Sequence, residues 1–320
     1  MPSGRSCMVD KGLLMDVVSG FARAADGTDL YWRAVGSGPP IVCCNGVGVS
    51  TFFFKYITRH FRDRFTVVLW DYRGHGQSSP IEDPLNADLS MGLVAEDMHA
   101  ILESAGVSEP AILIGHSMGV QVILEFTKRY PERVRALVPM FGTFARPMDT
   151  FLDSPMSKPI FDTLAKVTKW TGSTGAWLLH PLYASPVAIP FGRRAGLMDR
   201  YYASNRDIQM YMDHLVEMDP AVFLRMVECL SEHDLEDFLC EVHVPVLIFA
   251  GEKDLFTPLH RSYRMADLIP DSELVVLPEG SHAAIVEYPD TINQRLDRFI
   301  DQKLGGAANL ASKAESTRAG

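Results

Sequence analysis

Apolar runs alternate with stretches of three-and-four periodicity along most of the chain. Phe21-Ala22-Arg23-Ala24 and Leu30-Tyr31-Trp32-Arg33-Ala34-Val35 flank Asp26-Gly27, which predicts a β-hairpin. Residues 41–44 and 66–70 are apolar on successive positions, as expected of strands buried on both faces of a parallel sheet. Residues 111–114, 134–139, 244–250 and 273–277 supply four more strands. Between these runs lie helical patterns. Ser90 stands as a cap before Met91, Val94, Met98, Ile101, Leu102 and Ala105, with Gly106 as the stop. Gly119, Val122, Ile123, Phe126 and Tyr130 form a second apolar face, and Ile292, Leu296, Phe299 and Ile300 line a last helix opened by Pro289. Such alternation predicts an α/β fold with a mainly parallel central sheet flanked by helices.

The alternation breaks between residues 144 and 240. That stretch holds seven of the fifteen Met, twelve aromatics and seven Pro, then helix-like segments at 208–217 and 221–230. Core patterning resumes at Val244, so the stretch reads as a helical cap inserted after the sixth strand. The expected organisation is a leader at 1–20, a core at 21–143 and 241–304, the insertion at 144–240, and a mobile tail at 305–320 that lacks a core face. Met and aromatic residues suit core packing and also an adaptable apolar pocket. Trp177 and Met210 are the pocket candidates there.

Charge and cysteine content narrow the partners. At 320 residues, with 30 basic against 40 acidic side chains, the chain carries a formal charge of -10, and no basic cluster offsets it. That field disfavours nucleic acid and phosphate-rich ligands. Cys7, Cys43, Cys44, Cys229 and Cys240 are an odd, scattered set with no zinc-ligand spacing, consistent with reduced thiols in a cytoplasmic protein. No apolar run approaches the length of a signal core or a membrane helix, and neither a metal nor a cofactor is expected.

The chemistry sits at the ends of predicted strands. Gly115-His116-Ser117-Met118-Gly119 follows a strand and opens a helix, the setting a nucleophile elbow requires. A serine hydroxyl needs a histidine to take its proton, and the histidine needs an acid to hold its tautomer. Asp254 lies just past the strand at 244–250 and His282 just past the one at 273–277, where open α/β sheets build their sites. Met140-Phe141-Gly142-Thr143, after the preceding strand, offers no carboxylate, so Asp254 is the better acid. His116, Asp71, Arg73 and His75 read as structural, and Cys43 and Cys44 as small core residues on opposite faces of one strand.

These features resemble the α/β-hydrolase superfamily, in its esterase-like branch with a cap, over about residues 21–304. The segment Asp71-Tyr72-Arg73-Gly74-His75-Gly76-Gln77-Ser78 is similar to the family's loop after the fourth strand. The resemblance implies an oxyanion hole made by the backbone amides of Val47 and Met118. It also implies a His-Gly pair after the third strand, where this chain has Asn45-Gly46. Asn45 can hold the loop by its amide or meet a polar substrate group, and its pairing with a small residue is similar to 3-oxoadipate enol-lactonases.

The expected activity is therefore hydrolysis of small to medium, mostly uncharged carboxylic esters through an acyl-serine. Lactone or C–C bond hydrolysis and cofactor-free peroxidase or perhydrolase chemistry use the same triad. A ligand-binding protein without turnover is the alternative from another class. The partner is a small ester or lactone, and oligomeric state is left open.

Overall fold

The computed structural model describes residues 17–183, 204–306 and 310. Its centre is one eight-stranded sheet: β1 (Val17–Arg23), β2 (Asp29–Val35), β3 (Pro40–Cys44), β4 (Thr66–Trp70), β5 (Ala111–His116), β6 (Val134–Met140), β7 (Val246–Gly251) and β8 (Ser272–Leu277), in the order β1-β2-β4-β3-β5-β6-β7-β8. β1 and β2 form the predicted hairpin and join β4 antiparallel; all other pairings are parallel. Strand β1 begins at Val17, four residues before the strand expected from Phe21. Its early residues are paired by register with β2 although Val17 and Val18 are exposed, and exposed positions carry no apolar alternation to read.

Apolar side chains fill both faces of the parallel part, as continuous runs require. Cys44, Val68, Trp70 and Leu113 join one core cluster, while Cys43, Val67, Leu69 and Ile112 join the other. The first face is covered by α2 (Met91–Ser104) and α3 (Met118–Arg129), the second by α1 (Lys55–Phe61) and, near the end of the chain, by Ile292, Leu296 and Phe299. Ser90 caps α2 as predicted, its Oγ accepting from the Leu93 amide at 3.3 Å. Leu310 is also buried in the second cluster, which contradicts a tail without core contact at that one position; 307–309 and 311–320 lie outside the described residues.

Between β6 and β7 come α4 (Ser157–Tyr183), broken at Gly172 where φ is 70°, then α5 (Asn205–Glu217) and α6 (Pro220–Glu232). The chain leaves and rejoins the sheet at one place. Leu235 N donates to Phe144 O at 3.1 Å and Arg146 N to His233 O at 3.0 Å. Met218, Val222 and Met226 enter the first core cluster and Ile208 the second, so this segment is packed onto the carboxyl end of the sheet from both sides. After β7 follow α7 (Leu259–Leu268), and after β8 the short α8 (Ala284–Glu287) and α9 (Pro289–Leu304). No described helix is long and apolar enough to cross a membrane.

Candidate active site

Ser117 stands at the turn between β5 and α3 with φ 55° and ψ −117°, a backbone conformation that side-chain-bearing residues rarely adopt. Such a turn survives only where its neighbours hold it, and glycine makes that possible. A Cβ on Gly119 would stand 2.2 Å from the Cys44 carbonyl oxygen, and one on Gly115 would stand 2.3 Å from the Gly119 carbonyl. The Ser117 amide donates to Met140 O at 3.0 Å, tying the turn to the end of β6.

His282 and Asp254 arrive from the loops after β8 and β7. The Ser117 hydroxyl and His282 Nε2 are 2.9 Å apart, and His282 Nδ1 and Asp254 Oδ2 also 2.9 Å. Asp254 is buried, and its carboxylate is saturated with donors. Oδ1 accepts from the amides of Phe256 (2.9 Å) and Thr257 (3.0 Å), and Oδ2 accepts from the Thr257 hydroxyl at 2.7 Å besides the histidine. A carboxylate so held turns the Nδ1 proton of His282 toward itself and leaves Nε2 as an acceptor for the serine. The Phe256 ring stacks on the imidazole with centroids 5.1 Å apart. The three residues expected to act together thus form one continuous hydrogen-bonded chain.

The loop after β3 passes over the serine. A Cβ at Gly46 would come within 3.1 Å of Ser117 Cβ and 3.2 Å of His116 Nδ1, so glycine lets the loop approach without pushing either residue aside. Four hydrogen bonds clamp this loop to the one after β4. Asn45 Nδ2 donates to Trp70 O at 3.0 Å, Tyr72 Oη to Asn45 O at 2.7 Å, Gly48 N to His75 Nε2 at 3.3 Å, and Ser50 Oγ to Asp71 Oδ1 at 2.6 Å. Asn45 is buried, its Nδ2 held by Trp70 O in a loop-holding bond while Oδ1 has no partner among the described residues, and it is not among the residues that line the cavity. His75 also donates from Nδ1 to Arg73 O at 3.1 Å, and burial lowers its pKa from 6.5 to about 4, so it is neutral and can accept the Gly48 amide. His116 donates from Nε2 to His282 O at 3.0 Å; burial and the neighbouring His282 lower its pKa to about 3.

A cavity of about 80 Å³ opens at the serine, bounded on the core side by Gly46, Val47, Phe53 and His282 and on the helical side by Tyr211 and Phe223. Trp177 and Met210 are not among its lining residues. Trp177 is half exposed and packs on His180 with centroids 5.0 Å apart, while its neighbour Ala176 is the buried one. On α5 the inward face is Ile208, Tyr211 and Leu215, which puts Met210 about 130° from the centre of that face around the helix. The spacing i, i+3, i+7 was available in the sequence and would have selected Tyr211. Among the described residues no cluster of side chains is arranged to hold a metal ion.

Residues 39–289 match the family model described as alpha/beta hydrolase fold. A protein of Azorhizobium caulinodans that carries the name carbamate hydrolase RutD is 28% identical over 290 residues, covering 88% of this chain and 99% of the relative. Among solved structures, a bromoperoxidase from Bacillus anthracis superposes with a TM-score of 0.72 at 19% identity, covering 89% of this chain and 100% of that one. An esterase from Exiguobacterium antarcticum gives 0.68 at 22% identity, covering 88% and 99%. At these identities the structural likeness is one of fold.

Proposed function

The chain belongs to the α/β-hydrolase fold family, and from that premise we propose that it is a serine hydrolase acting on small, mostly uncharged acyl compounds through an acyl-serine intermediate. One observation carries the reading: the unbroken hydrogen-bonded chain Ser117–His282–Asp254, its serine facing a small, largely apolar cavity. In the reaction the Ser117 oxygen attacks the carbonyl carbon while His282 Nε2 takes its proton. The tetrahedral oxyanion is received by the amides of Val47 and Met118, roughly 3 kcal/mol for each donor where such groups have been removed. His282 then protonates the departing alcohol, and water, activated by the same Nε2, cleaves the acyl-serine.

We read the helical segment at 144–240 as a cap over this site. Its paired ends and the Tyr211 and Phe223 side chains at the cavity support that reading. The four described cysteines form no disulfide, which suits a reducing compartment such as the cytoplasm. A carbamate substrate is the second reading, favoured by the name of the curated relatives; the relay would then pass through a carbamoyl-serine. The test is labelling by a fluorophosphonate together with a panel of p-nitrophenyl esters, lactones and phenyl carbamates, each run on wild type and Ser117→Ala. Turnover and labelling that both persist in the folded variant would sink the proposal, and the panel ranks ester against carbamate.

A further inference from the structure

The cap side of the cavity carries a polar group that the relay does not use. Tyr211, partly buried, lines the cavity with Ser117 and His282, and Val49, Phe53, Phe223 and Phe256 supply apolar parts of the same lining. Burial alone pushes its phenol up to about 12, so the group is a neutral hydroxyl with a hydrogen to donate. Among the described hydrogen bonds none engages that hydroxyl. In an apolar cavity an unengaged donor favours a ligand that brings an acceptor to it.

One helical turn before Tyr211 lies the group that holds α5 in place. The Asp207 side chain is 4% exposed and forms an ion pair with Lys55 of α1. It also accepts from Tyr56 Oη at 3.1 Å and from Ser204 Oγ at 2.7 Å. Burial and the nearby Arg206 lower the pKa of Lys55, whose side chain is 30% exposed, so the buried partner of the pair is the carboxylate. A buried carboxylate needs its donors, so α5 cannot slide or rotate on α1 without leaving a charge unpaired. Residues four apart share a helix face, so the anchored position and the cavity position move together.

We propose that Tyr211 is a substrate-binding residue that donates to a neutral oxygen acceptor carried by the substrate besides its reacting carbonyl, and that Asp207 is a positioning residue that sets Tyr211 by clamping α5 to α1. The inference rests on the serine-hydrolase reading. It names the substrate class as small esters or carbamates with an ether-like or comparable oxygen on the acyl or the alcohol side.

Two pairs of near-isosteres test it by kcat/KM: p-nitrophenyl methoxyacetate against p-nitrophenyl butyrate for the acyl side, and 2-methoxyethyl acetate against butyl acetate for the alcohol side. Tyr211→Phe is expected to lower kcat/KM for the ether member of one pair by about fivefold, the size of one ordinary hydrogen bond, with less than a twofold change in the hydrocarbon member. The responding pair identifies the side. Equal changes in both members of both pairs would overturn the role of Tyr211. Asp207→Asn should reproduce the selective loss, and the double variant should be no more selective than Tyr211→Phe. If Asp207→Asn lowers all four substrates alike, or its selectivity multiplies with that of Tyr211→Phe, the positioning role is wrong. Tyr56→Phe, a milder break of the same clamp, is expected to shift selectivity in the same direction and serves if Asp207→Asn does not fold. Hydrolysis that survives Ser117→Ala would defeat the serine-hydrolase reading itself, whereas Ser117-dependent hydrolysis with unchanged ratios defeats only this inference.

Discussion

The loops after β5, β7 and β8 and the helical segment after β6 face each other across one cavity, yet they are held by different means. In the loops nearly every polar group is engaged: Asp254 accepts three bonds besides that of His282, and Ser281 donates to the buried Glu287 at 2.6 Å just before the histidine. In the helical segment α4 turns apolar side chains outward, with Trp170 at 87% and Leu178 at 78% exposure. The lesson is one of tolerance. On the proposed relay, proton transfer fails when atoms move by a fraction of an ångström, which accounts for over-determined loops, whereas the helical segment has to present only a few side chains correctly and can leave the rest unpacked.

The comparison breaks most visibly if the loops prove tolerant. Ser117→Ala should reduce turnover by about 10⁶-fold while leaving the melting temperature within a few degrees, read by steady-state kinetics and calorimetry. Asp254→Asn keeps the shape but presents the wrong hydrogen-bonding pattern to His282 Nδ1, and a loss of about 10⁴ in kcat is expected. A smaller loss than that of a variant in the helical segment such as Tyr211→Phe would reverse the assignment of rigid and tolerant regions.

Acid stability sharpens the comparison further. His75 has a folded pKa of about 4 against an ordinary 6.5, so between those values the unfolded chain binds more protons than the native one. Stability therefore falls as pH drops from about 6.5 to about 4, by about 3 kcal/mol from this residue, and levels off below, where the native state is protonated too. Urea unfolding of wild type and His75→Asn at pH 7 and pH 4.5 should show a smaller acid loss in the variant; equal losses would show that the clamp on the Gly48 amide is not titrating. The smallest effect belongs to the outer surface of α4. Trp170→Gln should change stability by no more than about 0.5 kcal/mol, and a loss of several would mean that its ring is covered in solution.

Much of the site was legible because its signals are local. A strand, a Gly-x-Ser-x-Gly turn and an amphipathic helix follow one another within about twenty residues, and Asp254 and His282 each sit a few residues past a strand end. Parallel strands deliver all such ends to one edge, so order along the chain was enough to bring the three together. The clamp between the loops after β3 and β4 was not legible in its bonds. Asp71 and His75 read as bracing residues, but their partners Ser50 and Gly48 depend on β3 and β4 lying side by side.

The sequence by itself determined the α/β class, the eight strands, the helical segment between β6 and β7, and the residue types of the relay, because periodicity, turn chemistry and strand ends are properties of contiguous residues. Only the tertiary structure decided which side of each helix in that segment faces the serine. Composition counts Met and aromatics without regard to direction, and rotation about a helix axis is set by what the helix packs against. For α5 those contacts are the core side chains around Ile208 and the Lys55 and Tyr56 donors to Asp207, and they turn Tyr211 rather than Met210 toward Ser117.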